Sequence, residues 1–416
     1  MAIKIKFSIE PKRRLIPIRR WDTKSAEGLI QKLAEEMGYS CDTKEGYFRC
    51  RLCPGGYIWF LWDNKKVTGE SQTNIAGPGF HVAVIEFLER LAKAGDWKLE
   101  VDDQTGYYRR RDFLSMRRNY FYRWFTEVMA AVSGWEEGDK ETFCWPDAYY
   151  EPEGRKGALI THIRPFTYAE IKGLVNSGLS MAFAREFFIW NELEKDAWYY
   201  RNCGLALLNQ TCYFMPSKRS AEDKKINDAV IKNLEMAVSM DRMIPFPVRE
   251  YLEVCALAEH EPADVEGLSP LPHDVEVGCR KRLIYRKLGK VKFPLPGSFI
   301  FDEKPCNGMD HYYDGEGYGD HDYYIYGVAI EARGAADFKE AWFTQGVPQE
   351  TVEFETGEVR AKAVFYEPEE TEGVTLYNCS AQVLYQEQRT NIHITSRSPG
   401  EKEWALELVK KIRITE

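Results

Sequence analysis

The feature that most constrains this chain is a change in the period of its apolar residues. At the N-terminus they alternate, with Ile3, Ile5, Phe7 and Ile9 set against polar neighbours, the two-residue repeat of a strand with one buried face. Between about 145 and 265 the repeat lengthens to helical spacing, and beyond 275 it shortens again. A chain that switches in this way is expected to fold as α+β, and 416 residues exceed what one hydrophobic core ordinarily serves. The expected organisation is an N-terminal α+β domain over 1–144, a helical domain over 145–265 and a C-terminal antiparallel-sheet α/β sandwich over 275–416.

In the first segment, strands are predicted over 3–9, 46–52, 56–62, 65–73 and 97–101, with a helix over 22–37 and another from Gly77-Pro78-Gly79 to Gly95. A long helix over 112–132 would turn Phe113, Met116, Tyr120, Trp124, Val128 and Val132 inward. The middle reads as a short strand "ALITHI", with His162 in it, then helices over 167–176, 180–195, 197–214, 220–240 and 247–261. Ser220 and Asp223 mark the start of the fourth, whose inward face carries Ile226, Val230, Leu234 and Val238. The linker-like 262–274 leads to strands over 275–285, 289–294, 298–302, 322–332, 350–356, 358–367, 374–386 and 390–396, with helices over 335–345 and 400–412. Ser398 as cap, Pro399 and Glu401 would open the last helix as a capping box.

That order, opened by "FPLPGSFIFDE" and ended by "NIHITSRSPGEKEWALELVKKIRI", resembles the PsbP-like fold over the final third of the chain. The resemblance implies an antiparallel sheet flanked by helices and a binding or chaperone role without catalysis, as in the Eag-type chaperones of type VI secretion. It assigns no functional residue by motif. The remainder has the character of bacterial accessory or immunity proteins found beside polymorphic toxins.

Both of the longest apolar stretches, "AVIEFLERLA" and "MAFAREFFIW", are broken by charge, so no membrane span is expected. A net charge of −9 argues against a nucleic-acid binder, which needs a basic field. The ten cysteines sit in apolar contexts and read as small buried hydrophobes without disulfide staples, which with the strand-like N-terminus points to a reducing cytoplasm. No cofactor motif is present, and abundant Trp, Tyr and Arg suit a protein partner. The expected function is that of a non-catalytic cytoplasmic binding protein of the accessory, immunity or chaperone class.

Four stretches could carry chemistry. "NGMDHYYDGEGYGDHDYYIYG" (307–327) holds His311, Asp320 and His321, which would serve a zinc or iron ion if a hairpin joined them. Counting a calcium loop from Asp314 puts tyrosine and isoleucine where oxygen ligands belong, and the stretch is read as a glycine-bent connection without metal. Cys50 and Cys53 form a single CxxC whose members point to opposite faces of a strand, so it is read as structural. In "ESQTNIAGPGFH" (70–81), Ser71, Thr73, Asn74, Gly77, Gly79 and His81 meet a helix N-terminus, where free amides and the helix dipole favour a small anion. An enzyme or sensor acting there is the competing functional expectation. Arg110, Arg117 and Arg118 would form a solvated stripe for an acidic protein partner. No nucleophile elbow is present, and Cys203 and Cys212 have no neighbouring histidine.

Overall fold

The alternating N-terminal residues form β1 (Lys4–Pro11), with Ile5, Phe7 and Ile9 buried. The computed structural model describes residues 2–12, 23–44, 47–63, 66–135, 142–145, 150–177, 180–211, 215–272, 275–302, 309–314, 323–331 and 337–414. It is a multidomain α+β protein of two compact units, 1–146 with 154–278 and 147–153 with 279–416. The stretch 1–144 and all of 145–265 except 147–153 lie in the first unit and share one core that runs from Ile3 to Val277.

In that unit β1 is followed by α1 (Thr23–Glu36), β2 (Ser40–Lys44), β3 (Tyr47–Cys53), β4 (Gly56–Trp62), β5 (Val67–Gln72), α2 (Pro78–Ala94) and β6 (Trp97–Asp103). The strands make an antiparallel sheet in the order β2-β3-β4-β5-β1-β6. Ile30 of α1 and Phe80, Ile85, Phe87 and Leu88 of α2 are fully buried, each such side chain contributing roughly 1.5–3 kcal/mol.

The helix expected over 112–132 forms as α3: Phe113–Met116, a π segment Arg117–Tyr122 and Arg123–Val132. The wider π turn inserts one residue and moves the inward stripe. Met116 is followed at the core by Phe121, Phe125 and Met129, so Tyr120 and Val128 are only partly buried where full burial was expected.

After β7 (Thr142–Phe143) the chain contributes β8 (Glu151–Pro152) to the second unit, then returns with β9 (Ala158–Thr161) and β10 (Pro165–Thr167). β9 stops before His162, which lies buried in the following bend. Helices α4 (Tyr168–Asn176), α5 (Ser180–Phe187), α6 (Ala197–Thr211), α7 (Ala221–Met240) and α8 (Val248–Leu257) complete the unit. Ser220 caps α7 as expected, its side chain accepting from the Asp223 amide. α5 ends eight residues early because the chain turns to dock on α2: the Trp190 amide donates to Ala76 O at 2.8 Å, and the Gly79 amide to Trp190 O at 2.9 Å. Between the helices Glu186 Oε1 joins Arg164 Nε at 2.8 Å and Arg201 Nη2 at 3.1 Å, a buried ion network that no sequence pattern announced.

The second unit continues with β11 (Leu283–Leu288), β12 (Val291–Pro296), β13 (Ile300–Asp302), β14 (Asp310–Tyr313), β15 (Tyr323–Glu331), β16 (Pro348–Thr356), β17 (Val359–Tyr366), β18 (Glu369–Thr371), β19 (Val374–Tyr385) and β20 (Gln388–Ser396). Helix α9 (Lys402–Lys410) and β21 (Arg413–Ile414) close it. One antiparallel sheet runs β21-β12-β11-β8, and a larger one runs β13-β14-β15-β20-β19-β17-β16, with β18 paired to β19.

Three expectations need correction. Residues 275–282 are not strand, because the Arg155 guanidinium takes the carbonyls of Glu276 and Gly278 that a neighbouring strand would use. In place of a helix over 335–345 the described residues hold one 3-10 turn, Glu340–Phe343; Phe343 joins Val364 and Tyr366 in a small cluster that one turn suffices to reach. The capping box before α9 is absent, since Pro399–Glu401 wind as a 3-10 turn and the Ser398 side chain makes no cap bond.

Candidate functional site

The 70–81 turn directs its polar groups inward. Ser71 Oγ donates to Tyr57 O at 2.7 Å, and Thr73 Oγ1 lies 3.2 Å from Ile3 O and 3.0 Å from His81 Nδ1. On the far side of the ring His81 Nε2 lies 3.1 Å from Asp103 Oδ1, and the Asp103 carboxylate also accepts from the amides of Thr105 and Tyr108, each at 2.8 Å. Burial lifts the Asp103 carboxyl, but the His81 bond and charge, the Tyr108 amide and Thr105 outweigh it and hold the group well below its ordinary 3.8. Hydroxyl, imidazole and carboxylate in line have the order of a hydrolase triad. Thr73 and His81 are fully buried, however, and the network ties β5, α2 and β6 together.

The helix N-terminus beside it is covered. Gly77 adopts φ 104°, and a Cβ on Gly79 would stand 2.2 Å from both Glu192 O and the Trp190 ring. The glycines let the 188–192 segment approach, and its Trp190 carbonyl takes the Gly79 amide that an anion would need. Asn74 is buried at the same turn.

The three arginines do not form one stripe. Arg117 is half-buried, pairs with Glu192 and lies over the rings of Phe113 and Tyr122 at 5.3 and 5.4 Å. Arg110 donates to the Thr105 carbonyl, and Arg118 is exposed. The split follows from a break in the backbone: Arg110 ends a separate turn, Tyr107–Arg110, closed by Arg111 at φ 57°, before the helix that carries Arg117 and Arg118 begins.

His311 sits on β14, whereas Asp320 and His321 lie outside the described residues. Among the described residues no cluster of three metal-ligating side chains occurs. The cysteine reading is corrected in one respect: Cys41 and Cys50, directly opposite on β2 and β3, form a disulfide with Cα atoms 4.2 Å apart. That spacing is that of a pair between ladder hydrogen bonds, where side chains come closest. Cys53, Cys203, Cys255, Cys279 and Cys379 are buried, as expected.

The surface that stands out was not anticipated. Met236 and Met240 of α7 and Met243 just beyond it are 39%, 52% and 76% exposed, and Leu252 of α8, which packs on α7, is 38% exposed. An open groove of about 500 Å³ runs along this side of α7, lined by Asp228, Lys232, Glu235, Met236 and His260 among others. Glu235 Oε1 is held by Tyr251 Oη at 2.9 Å and lies 2.8 Å from His260 Nε2. The signal was present in the sequence: Met236 and Met240 recur four apart, two positions out of phase with Leu234 and Val238, which places them on the opposite side of the helix. A second cleft, of about 250 Å³ in the other unit, lies between α9 and the large sheet, walled by Phe365, Tyr377, Ile394 and Ala405.

No described helix is long and apolar enough to cross a membrane. No family model matches the chain, and no curated protein matches it. Among solved structures, a Bacteroides thetaiotaomicron protein matches at 11% identity and TM-score 0.24 over 30% of this chain, which spans 45% of that chain's length. The Ran-binding protein Mog1p of Saccharomyces cerevisiae matches at 16% identity and TM-score 0.24, over 32% of this chain and 96% of that one. A cyanobacterial PsbP from Synechocystis matches at 10% identity and TM-score 0.24, over 30% of this chain and 87% of that one. Scores at this level describe a distant likeness, and no function is drawn from them.

Proposed function

We propose that the protein is a non-catalytic binding protein of the accessory, immunity or chaperone class that holds a protein partner against the outer face of α7 and α8. The observation that carries this reading is the exposure of three methionines and a leucine in one part of the helical region, beside a groove with a charged border. Exposed apolar area rimmed by polar side chains marks docking surfaces, and methionine adapts to the shape of what it meets. The charged border of Asp228, Lys232 and Glu235 would set orientation, while the methionines supply the area removed from water.

The test is capture of a stoichiometric partner from native lysate by the full chain, repeated with Met240→Glu combined with Met243→Glu. Both side chains are exposed, so the double variant should melt at the same temperature as the parent. It should lose the partner by about 2 kcal/mol or more, the cost of a central interface residue. Equal capture by both proteins, or no stoichiometric partner for either, would refute the reading.

A further inference from the structure

A cavity of about 610 Å³ opens in the first unit, walled by the end of the β2–β3 pair, the start of α6 and the flank of α7. Its volume lies in the range of small-molecule sites. Its walls are chemically one-sided. Arg51, Lys195 and Lys232 line it, no aspartate or glutamate does, and none of the three cations has a carboxylate partner among the described residues. Elsewhere on the same unit basic side chains do pair, as Lys4 does with Glu70 at 3.3 Å, Arg185 with Asp196 at 3.2 Å and Lys224 with Asp228 at 3.0 Å.

Lys195 is positioned without being neutralised. Its ammonium lies 5.3, 4.9 and 5.2 Å from the ring centres of Tyr39, Trp190 and Tyr199, an aromatic surround that holds a cation in place and leaves its charge to act on a neighbour. Arg51 and Lys195 line the same cavity, and the charges of both act on the same two thiols, Cys53 and Cys203. Burial pushes the Cys203 thiol and the Tyr39 hydroxyl up to about 12, and the Cys53 thiol and Tyr199 hydroxyl well above their ordinary values. All four are therefore uncharged near neutral pH, and the lining carries positive charge with hydroxyl and thiol donors but no built-in counter-charge.

We propose that this cavity binds a small organic phosphate, its phosphate dianion between Arg51 and Lys195 and its flat body against the tyrosines Tyr39, Tyr199 and Tyr200. Two cations in one cavity with a third on the rim match a dianion better than a single carboxylate. Apolar wall at Leu207 and Met236 leaves room for a ring system beyond the charged end. The site is separate from the covered turn at residues 70–81; Lys232 and Met236 line both the cavity and the α7 groove, whereas Arg51 and Lys195 line the cavity alone, so variants of those two test this proposal without touching the docking face.

The experiment is isothermal titration of the full chain with adenosine 5′-monophosphate, with adenosine as the uncharged counterpart and with inorganic phosphate. The monophosphate should bind, phosphate should compete with it, and adenosine should bind roughly tenfold or more weakly, the loss expected when a charge-assisted hydrogen bond is removed. Arg51→Gln and Lys195→Gln should each weaken the monophosphate by a similar factor, Lys195→Arg should keep most of the affinity, and melting temperature reports whether each variant is folded. Lys232→Gln, on the exposed rim, carries little risk to the fold and should weaken binding several-fold. Adenosine binding as well as its phosphate, unchanged affinity in the folded glutamine variants, or no heat from any probe up to about 5 mM would each overturn the proposal.

Discussion

His81 shows how far a side chain's surroundings decide its role. A histidine at a glycine turn invites a ligand in the sequence, and in the fold it is enclosed between Thr73 and Asp103. Because the Asp103 carboxyl is held below its ordinary 3.8 in the folded state, its contribution to stability is complete above that range and is lost as pH falls through it. Asp103→Asn should therefore be less stable than the parent at pH 7, and the gap in urea midpoints should close below about pH 4; a gap of constant size would show that the charge is not what matters. His162 adds to acid sensitivity from another direction. Burial holds its imidazole down at about 3 against the pull of the Phe187 carbonyl, while the unfolded chain takes up the proton near the ordinary 6.5. Stability should fall as pH drops through that interval, and His162→Phe should remove one proton from the slope. Glu186, between Arg164 and Arg201, should be costlier to lose: Glu186→Gln leaves the buried Arg201 guanidinium without its carboxylate and Arg164 with Glu170 alone, and should destabilise by roughly 3–5 kcal/mol in equilibrium unfolding.

Among the elements, α3 offers the sharpest test, because its π segment amounts to one extra residue in a continuous helix. Deleting the exposed Asn119 should restore ordinary spacing between Met116 and Phe121 and leave the melting temperature nearly unchanged. Deleting the exposed Glu127 should swing Met129 and Val132 off the core and cost several kcal/mol, about what two lost core side chains contribute. Similar losses from the two deletions would contradict the inserted-residue account. On the neighbouring sheet, breaking the Cys41–Cys50 bond should lower stability by about 2–3 kcal/mol, the closure term for a short loop, read as a drop in melting temperature with a phosphine reductant. Elements set by local pattern were legible: the alternation of β1, the Ser220 start of α7 and the glycine-bounded α2 all form where the sequence placed them. The π turn was not, because an inserted residue leaves composition and average period unchanged. Nor was the disulfide, since pairing Cys41 with Cys50 requires the register of β2 on β3.

At the scale of the molecule, what the sequence conceals is convergence. Arg51, Lys195 and Lys232 come from a strand, a loop and a helix far apart in the chain, each unremarked where it stands, and only the folded core sets them around one cavity. The path of the chain is equally hidden: it enters the second unit at 147–153, returns to the first, and enters again at 279. β8 supplies the edge of the smaller sheet, with Ile284 and Tyr285 of β11 paired to Pro152 and Glu151, and Lys292 bonded to Glu151 at 2.5 Å. A fragment covering 279–416 should accordingly melt well below one in which 147–153 is joined to it by a flexible linker, as circular dichroism can follow; equal melting would make β8 dispensable. This interleaving also limits how the gene could have been assembled. A module whose edge strand is encoded between two segments of another module cannot be gained, lost or exchanged intact by one recombination crossover, so the two are tied to a shared inheritance.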